Sequence, residues 1–485
     1  MNQIINSIVY LAFAILVAGC NTDGNEDATI YENGILIEVE APQLNGWGTE
    51  ENSYTRSGEA ISIQQKGEDG LDMEVDLLPD TARTFTDKVT TRWTNMDDNT
   101  VFRVVAYACE SAATITTSNY KGYGDYKLLT DGTVQTVKSL TLPIGTYTFV
   151  CYSNGDSTAL PAFSNNATSI TATNGINFMT CVKPNIVIDN TGSIYTLSNI
   201  EFTHNCVRYR VSAAAQSERM ANITACAATL TLPANSATYS FTSNAFTANS
   251  TAETIALVWN SPNAMTVHSN YVYLLPQSGK NLTVKLNLTI GGKAFNDKST
   301  TLTGITFTAN GTYCSSVSFT TTKGYIVGGN IWANGNLYRA AVSSGAYDFY
   351  PNTMSCSKGN YASDYFTYNN PYPSNSELIT TWSDSRDPCR LVSPTNTWRT
   401  PTVQDCNALL QTGVVQKTDR TIYGGVLNLP FTSFMRYHTG YPHEPYFDHI
   451  GYYLTTTYTR CLQNGGIGEY SVDETLAFAV RCVRN

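Results

Sequence analysis

The sequence predicts a mainly β protein in which two tandem antiparallel β-sandwiches are followed by an α+β domain. From about residue 57 onward, short runs of alternating apolar and polar residues are separated by Gly, Asn, Asp and Pro, the pattern of sandwich strands joined by turns. Charged residues make up only 14% of the chain. Near residue 325 aromatic residues become denser, and the clearest helix start follows at Pro401.

The N-terminus has the pattern of an export signal. Residues 8–18 form an apolar run that is too short to span a bilayer and has the length of a signal-peptide core. The run ends in Leu16-Val-Ala-Gly-Cys20, which resembles a bacterial lipobox, although no Lys or Arg precedes it. We therefore expect residues 1–19 to be a lipoprotein signal peptide and Cys20 to carry the lipid. An ordinary secretory signal with a chance cysteine is the alternative.

The residues after Cys20 indicate a flexible, surface-bound tether. Asp23, Glu26 and Asp27 make this segment polar and acidic, and similar residues follow the lipid cysteine in outer-surface lipoproteins of Bacteroidetes. This resemblance implies a location on the outside of the cell outer membrane, with attachment through the acyl chains.

Composition argues against two classes of function. The net charge of −10 leaves no basic patch to displace the counterions of nucleic acid. The chain has five His and lacks both a Gly-rich phosphate loop and a Gly-x-Ser-x-Gly motif. We therefore predict no enzymatic activity, no cofactor and no nucleic-acid partner.

Two sets of strands are expected, at 57–188 and 189–324. Residues 282–290 alternate strictly between apolar and polar side chains, which is typical of a strand with one face in the core. The tripeptide Gly-Thr-Tyr begins a predicted strand in each set, at 145–147 and at 311–313.

This body resembles the fimbrillin-like proteins of Bacteroidetes, the subunits of type V pili. The lipobox, the Gly-Thr-Tyr strand starts, the segment 197–211 and Tyr271-Val-Tyr-Leu-Leu-Pro276 carry the resemblance, which covers roughly 55–325. It implies transthyretin-like sandwiches.

The same resemblance implies an assembly mechanism. Members are cut after an arginine, and the cut removes an N-terminal strand and opens a groove that a neighbouring subunit's strand fills. Arg56 in Tyr54-Thr-Arg-Ser-Gly58 has about the right position, so 20–56 is expected to hold the tether and a removable N-terminal strand. An ordinary surface arginine is the alternative.

A helix is predicted in the last segment, 325–485. Pro401 suits the first turn of a helix, and Thr402 and Asp405 have the spacing of a capping box. Val403, Cys406, Leu409 and Leu410 follow as an apolar stripe at helical spacing.

This segment resembles the Fibrobacter succinogenes major paralogous domains, relatives of the C-type-lectin and formylglycine-generating-enzyme fold. Asp387-Pro-Cys389, Trp398-Arg-Thr-Pro-Thr402, residues 452–457 and residues 478–484 occur in the family's order, with residues 391–397 inserted. The resemblance implies a C-type-lectin-like domain with a disulfide between Cys389 and Cys482. Cys406, on the helix stripe, is the competing partner.

A recognition surface is expected on the aromatic loops of this segment, because Tyr and Trp provide a large contact area at low rotamer cost. The alternative is that most of these aromatic residues pack beneath the loops. The candidate residues are Tyr365, Tyr368, Tyr372, Trp382, Tyr437, His438, His443, Glu444 and Tyr446.

One loop in this set has a second interpretation. His438, His443 and His449 lie near Glu444 and Asp448, and imidazoles with carboxylates can bind a metal. A Pro-punctuated aromatic loop without a metal is the favoured interpretation.

Together these features predict a non-enzymatic, lipid-anchored surface adhesin that forms the tip of a pilus (fimbria). It would assemble with other fimbrillin subunits by β-strand exchange and present its C-terminal domain to a host or bacterial surface glycan or protein. The alternative is a monomeric outer-membrane glycan-binding lipoprotein outside any pilus.

Overall fold

The computed structural model describes residues 34–47, 61–79, 93–164, 166–189, 192–321, 324–340, 345–351, 364–373, 377, 379–432, 434–438, 441–442, 451–457, 460–463, 465–469 and 475–485. The fold is mainly β, as the sequence predicts. Over these ranges, no helix is long and apolar enough to cross a membrane.

The strands of the first half are, in chain order, β1 (Ile35–Val39), β2 (Gln43–Asn45), β3 (Ile61–Gln65), β4 (Asp72–Pro79), β5 (Trp93–Asn95), β6 (Val101–Tyr107), β7 (Tyr120–Leu128), β8 (Val134–Lys138), β9 (Thr141–Leu142), β10 (Gly145–Ser153), β11 (Ser169–Thr173), β12 (Met179–Ile188), β13 (Ile194–Leu197) and β14 (Glu201–His204). Those that follow are β15 (Val207–Ala215), β16 (Ile223–Leu232), β17 (Ser236–Ser240), β18 (Ala245–Ala248), β19 (Glu253–Leu257), β20 (Thr266–His268), β21 (Val272–Leu274), β22 (Gln277–Ile290), β23 (Lys293–Phe307) and β24 (Thr312–Thr320).

The C-terminal unit consists of short strands and one α-helix within the described ranges. Its elements are β25 (Gly324–Val327), β26 (Asn330–Ala333), β27 (Leu337–Arg339), β28 (Tyr347–Phe349), β29 (Phe366–Thr367), β30 (Trp398–Arg399), α1 (Val403–Leu410), β31 (Val414–Gln416), β32 (Arg420–Tyr423), β33 (Leu427–Pro430), β34 (Phe434–His438), β35 (Tyr441–Pro442), β36 (Tyr453–Leu454), β37 (Arg460–Gln463), β38 (Gly466–Glu469), β39 (Thr475–Phe478) and β40 (Val483–Arg484).

The first sandwich packs a large sheet against a small one. The large sheet has the order β5-β2-β14-β12-β10-β6-β7-β8, and the small sheet has the order β13-β1-β9. Alternate residues of β6 and β10, such as Phe102, Val104 and Phe149, point into the core between them and are fully buried. Residues 34–47 thus contribute two strands to this sandwich, within the segment predicted to hold the tether and a removable strand.

The second sandwich includes two strands from the range predicted for the first sandwich. Its sheets have the orders β20-β15-β24-β4-β3 and β19-β16-β22-β23, with β21 also paired to β15. Strands β3 and β4 lie within 57–188, the range predicted for the first sandwich, yet β4 pairs antiparallel with β24. Part of the range predicted for the first sandwich therefore pairs with strands of the second. Met73 and Val75 bury their side chains in the core of the second sandwich. Apolar alternation predicts which face of a strand is buried, but it does not predict which strand will be its pairing partner.

The two sandwiches are joined by a shared sheet. Strand β11, from the first range, pairs with β17 from the second, and β18 completes the sheet. An aromatic cluster that includes Tyr107, Tyr152 and Phe241 fills the space between this sheet and the outer face of the large sheet. The two sandwiches are therefore packed against each other through a shared sheet and a shared aromatic cluster.

The C-terminal unit shares a hydrophobic core with the second sandwich. Ile331, Trp398 and Cys482 belong to the same buried cluster as Val207 and Leu286. The amide of Ile326 also donates to the carbonyl of Arg219 at 2.8 Å. This continuity means that the last unit is built onto the second sandwich.

The predicted capping box of α1 is confirmed. The amide of Asp405 donates to Thr402 Oγ1 at 3.1 Å, and the amide of Thr402 donates to Asp405 Oδ2 at 2.7 Å. Arg399 adds an ion pair with Asp405 at 2.5 Å. Burial would raise the pKa of Asp405, but the hydrogen bonds from Arg399 and Thr402 outweigh it and lower that pKa.

A disulfide joins Cys389 to Cys482, with the two Cα atoms 5.8 Å apart. These are the two cysteines named by the resemblance. The competing candidate, Cys406, is a buried free thiol on α1. The bridge ties the segment before β30 to the residue that precedes β40.

Candidate functional site

The N-terminal strand β1 is the central strand of the small sheet. It pairs in parallel with β13 (Leu36 opposite Ile194) and antiparallel with β9 (Ile35 opposite Leu142). Ile37 donates its amide to the carbonyl of Leu140 at 2.9 Å. Because both of its edges are hydrogen-bonded to neighbouring strands, β1 completes the small sheet of the sandwich.

The alternation of β1 gives it one buried face. Ile35, Ile37 and Val39 are between 0% and 8% exposed, whereas Glu38 is exposed. From the facing sheet, the hydroxyl of Tyr126 donates to the carbonyl of Ile37 at 2.8 Å. Burial raises the pKa of that Tyr126 hydroxyl. The strand is therefore held by two ladders, three apolar side chains and a hydrogen bond across the core.

Strand β1 begins at a close backbone contact. Gly34 has a φ of +73°, and a Cβ atom at this position would lie 2.7 Å from Cγ2 of Thr141. Any other residue would clash with β9 and be strained by the left-handed backbone.

Beyond β1 the chain crosses to the large sheet. Strand β2 pairs in parallel with β14, and Gln43 donates its amide to the carbonyl of Ile200 at 2.8 Å. Residues 34–47 thus bond to both sheets of one sandwich. The segment ends, as far as the structure describes it, at Trp47.

Trp47 docks into an aromatic and cationic cluster. Its indole stacks on the imidazole of His204, and the ring of Tyr273 lies parallel at a centroid distance of 5.8 Å. The guanidinium carbon of Arg208 lies 5.3 Å from the centroid of the Trp47 indole and 4.4 Å from the centroid of the Tyr271 ring. Stacking and cation–π contacts of this kind stabilise a docked side chain.

His204 is neutral in this cluster. It is 2% exposed, and burial, followed by the charge of Arg208, lowers its pKa to about 3. His204 Nδ1 lies 2.7 Å from Asn177 Oδ1, so Nδ1 is the nitrogen that carries the hydrogen. An uncharged imidazole loses little solvation free energy when the indole covers it, so the neutral form is suited to stacking.

Sequence reasoning missed this cluster. Trp47 is a large apolar residue in an otherwise polar stretch, and that isolation was the available signal. The partner residues lie on β14, on β15, and on or directly before β21, more than 150 positions away. No local pattern connects them.

A polar cavity of about 350 Å³ opens where β12 leaves β14. These strands pair only at Met179–Thr180, and beyond that point the cavity is lined by residues that include Cys181, Lys183 and Glu201. Its lining holds one charge of each sign, on Lys183 and Glu201.

Some residues of the predicted ligand surface are buried. Tyr365 and Tyr368 are 4% and 7% exposed. Their hydroxyls donate to the carbonyls of Thr432 and Thr456, the latter at 2.9 Å. Both tyrosines therefore belong to the interior, and the alternative of aromatic packing applies to this pair.

Tyr372 and Trp382 lie nearer to solvent. Tyr372 is 51% exposed, with the guanidinium carbon of Arg339 at 5.0 Å from its ring centroid. Trp382 is half-buried against Tyr368, at a centroid distance of 5.6 Å, and its Nε1 donates to Asp384 at 3.0 Å. Among the predicted residues whose side chains are described, a ligand could reach these two.

The remaining predicted residues are not described at the level of side chains. Tyr437 and His438 lie on β34, where the backbone alone is described. His443, Glu444, Tyr446, Arg56 and Cys20 lie outside the described residues. In the part of the chain that is described, no group of three or more His, Cys, Asp or Glu side chains could hold a metal ion.

No protein-family model and no curated protein matches this sequence. Several solved structures are similar at low identity. A candidate cell adhesion protein from Bacteroides fragilis has 13% identity and a TM-score of 0.37, covering 67% of this chain and 100% of its own.

Another candidate cell adhesion protein, from Bacteroides ovatus, has 13% identity and a TM-score of 0.33, covering 60% of this chain and 96% of its own. The fimbrial anchor protein Mfa2 from Porphyromonas gingivalis has 13% identity and a TM-score of 0.26, covering 39% and 71% respectively. At these TM-scores the likeness does not identify a function.

Proposed function

We propose that this protein is a lipid-anchored surface adhesin that forms the tip of a pilus and joins its neighbour by β-strand exchange. The observation that carries the proposal is the position of β1. It is the central strand of the small sheet, it buries three apolar side chains, and it lies upstream of Arg56.

Loss of residues 34–56 would leave a groove with the chemistry of a strand acceptor. The backbones of β9 and β13 would each lose a ladder partner. The apolar floor, which includes Leu142, Leu197 and Phe149, would be uncovered. An unpaired edge beside an apolar floor is the surface that β-augmentation uses.

The groove also specifies its occupant. Ile35, Ile37 and Val39 fill alternate positions, while Leu36 and Glu38 face outward. A donor strand from another subunit would need apolar side chains at the same period of two. Specificity would come from the sizes of those side chains, since the ladders accept any sequence.

The C-terminal unit supports a tip position. Strand β40 lies between β26 and β30, and the adjacent Cys482 is fixed by its disulfide to Cys389. A strand enclosed in this way is not free to act as a donor. The unit is left to present a recognition surface, for which Tyr372 and Trp382 are the reachable aromatic residues, to a glycan or protein on a host or bacterial cell.

The acceptor role is tested with the full mature chain and an arginine-specific protease. We expect one cut after Arg56, with residues 20–56 remaining bound until a strand peptide from a fimbrillin subunit displaces them. The matched control is Arg56→Gln, which should stay uncut and take up no peptide. An intact wild-type chain, or a cut chain that never exchanges its segment, would overturn the strand-exchange proposal.

Recognition is tested separately, because adhesion and assembly can fail independently. The full chain, rather than a C-terminal fragment, is applied to glycan arrays and to intact cells, since the last unit shares its core with the second sandwich. We expect binding that Tyr372→Ala weakens. Glycan binding by a chain that fails the exchange test would favour the monomeric outer-membrane lipoprotein.

A further inference from the structure

Two cysteines of the first sandwich face each other across neighbouring strands. Cys151 on β10 and Cys181 on β12 are directly opposite residues of the antiparallel ladder. Both side chains point into the core between the large and small sheets. Side chains at opposite positions of an antiparallel pair have their Cβ atoms about 4.5–5.5 Å apart, and a disulfide requires about 3.5–4.5 Å, so closing the bond requires only a small approach of the two strands.

The two thiols influence each other. Their interaction lowers the pKa of the Cys181 thiol, against the effect of its burial, and raises the pKa of the Cys151 thiol. Cys151 is fully buried, but Cys181 lines the polar cavity beside Lys183. Cys181 is therefore the sulfur that is better able to ionise and that lies closer to solvent.

The same chain already contains a disulfide, Cys389–Cys482. Disulfides form and persist in oxidising compartments, so the pair in the first sandwich would meet the same conditions. Two other cysteines outside the disulfide have assigned cross-strand neighbours that are not cysteines. Cys226 lies opposite Leu288, and Cys314 lies opposite Leu78.

We propose that Cys151 and Cys181 form a redox site that closes to a cross-strand disulfide in the exported protein. This site is independent of any ligand or pilus partner. The closed form would link β10 to β12 at the centre of the large sheet, within the core that strand β1 helps to bury.

The step balances with a disulfide oxidant, such as oxidised glutathione or an oxidised dithiol oxidoreductase. The Cys181 thiolate attacks the oxidant and displaces one thiolate, giving a mixed disulfide. The Cys151 sulfur, after losing its proton, then attacks the Cys181 sulfur and displaces the second thiolate. Two S–H bonds are lost, one S–S bond forms, and two electrons reduce the oxidant to two thiols.

The test maps thiols in the full mature chain. The protein is incubated with oxidised glutathione until Cys389 and Cys482 are joined, denatured in acid with N-ethylmaleimide, and digested with chymotrypsin without reduction. Cleavage after Tyr152 and Phe178 separates the two cysteines in sequence. We expect mass spectrometry to find their peptides joined, while Cys226 carries the maleimide.

Two variants provide an independent measurement. Cys151→Ser should release one additional free thiol, at Cys181, and the double variant Cys151→Ala with Cys181→Ala should unfold at lower urea concentration than the oxidised wild type. Cys226→Ser is the matched control and should change neither result. Maleimide on both Cys151 and Cys181 while Cys389–Cys482 is joined would overturn the proposal, as would linkage of either one to a different cysteine. The peptide map decides the question even if a variant fails to fold.

Discussion

The indole of Trp47 stacks on the imidazole of His204, with ring centroids 3.7 Å apart and ring planes 12° apart. His204 ends β14, and three residues later β15 begins the second sandwich. The N-terminal segment is therefore anchored where the chain passes from one sandwich to the next. Its release would require both the ladders of β1 and this stack to open.

Replacement of Trp47 by alanine should loosen the N-terminal segment. We expect the free energy of unfolding to fall by about 2 kcal/mol, less than for a fully buried tryptophan, because the indole is half-buried. Hydrogen exchange should accelerate in β1 and β2 and stay unchanged in α1. Trp47→Phe, which keeps a ring on His204, should recover most of the protection. Unchanged exchange across 34–45 would show that the stack does not hold the segment.

The stability of the protein should depend on pH through His204. Its pKa is lowered to about 3 in the folded state, whereas an unfolded histidine titrates near 6.5. The unfolded chain therefore binds the extra proton between these values, so stability is complete above about pH 6.5 and falls as the pH decreases toward 3. The expected loss between pH 7.5 and pH 5 is about 2 kcal/mol from this residue alone.

Urea unfolding of wild type and His204→Gln at the two pH values measures this contribution. The variant should lose about 2 kcal/mol less on acidification, since glutamine does not titrate. His268, which ends β20 and is exposed, offers the matched control His268→Gln. Equal pH dependence of wild type and His204→Gln would contradict the assignment.

A buried ion pair in the large sheet should be sensitive to loss of one partner. Arg103 is 2% exposed and bonds Asp125 at 2.6 Å and 2.9 Å. Its Nη1 also donates to the carbonyl of Pro161 at 2.7 Å. Asp125→Asn leaves the guanidinium without its counter-charge, and we expect a loss of about 3–5 kcal/mol in the free energy of unfolding.

An exposed pair in the second sandwich provides the comparison for that loss. Lys285 and Asp297 approach to 2.6 Å but are 48% and 72% exposed. Asp297→Asn should change the free energy of unfolding by less than about 1 kcal/mol, because solvent screens the charges. If urea titrations showed similar losses in the free energy of unfolding for Asp125→Asn and Asp297→Asn, burial would not explain the sensitivity of the Arg103–Asp125 pair.

The tyrosines of the C-terminal unit should separate into structural and accessible residues. Tyr365→Phe removes the hydroxyl that bonds the carbonyl of Thr432, and the unpaired carbonyl should lower the free energy of unfolding by about 1–2 kcal/mol. Tyr372→Phe, at the exposed position, should change it by less than about 0.5 kcal/mol. Thermal unfolding measures both, and a larger loss for the Tyr372 substitution would reverse the assignment.

Much of the local structure could be predicted from the sequence. Thr402 and Asp405 are three residues apart, so the capping box of α1 depends on a single turn of backbone. The alternation in 282–290 likewise predicts which side chains of β22 are buried, and Leu282, Leu286 and Ile290 are fully buried. Such features involve residues that are neighbours in the chain.

The candidate recognition surface was less predictable. Tyr365, Tyr368 and Tyr372 have the same composition and neighbourhood in the sequence, yet two are buried and one is exposed. The difference depends on the segments around Thr432 and Thr456 that cover the first two. Composition indicates that aromatic residues are available, but loop packing decides which of them face solvent.

Periodicity and short-range hydrogen bonds were enough to predict the mainly β fold, the buried faces of its strands and the capped helix, because each of these depends on a few neighbouring residues. The pairing of β4 with β24 and the stacking of Trp47 on His204 depend instead on long-range packing. Apolar alternation makes a strand competent to join any sheet with a matching face. The choice among partners hundreds of residues apart is made by the packing of whole surfaces, which no local pattern records.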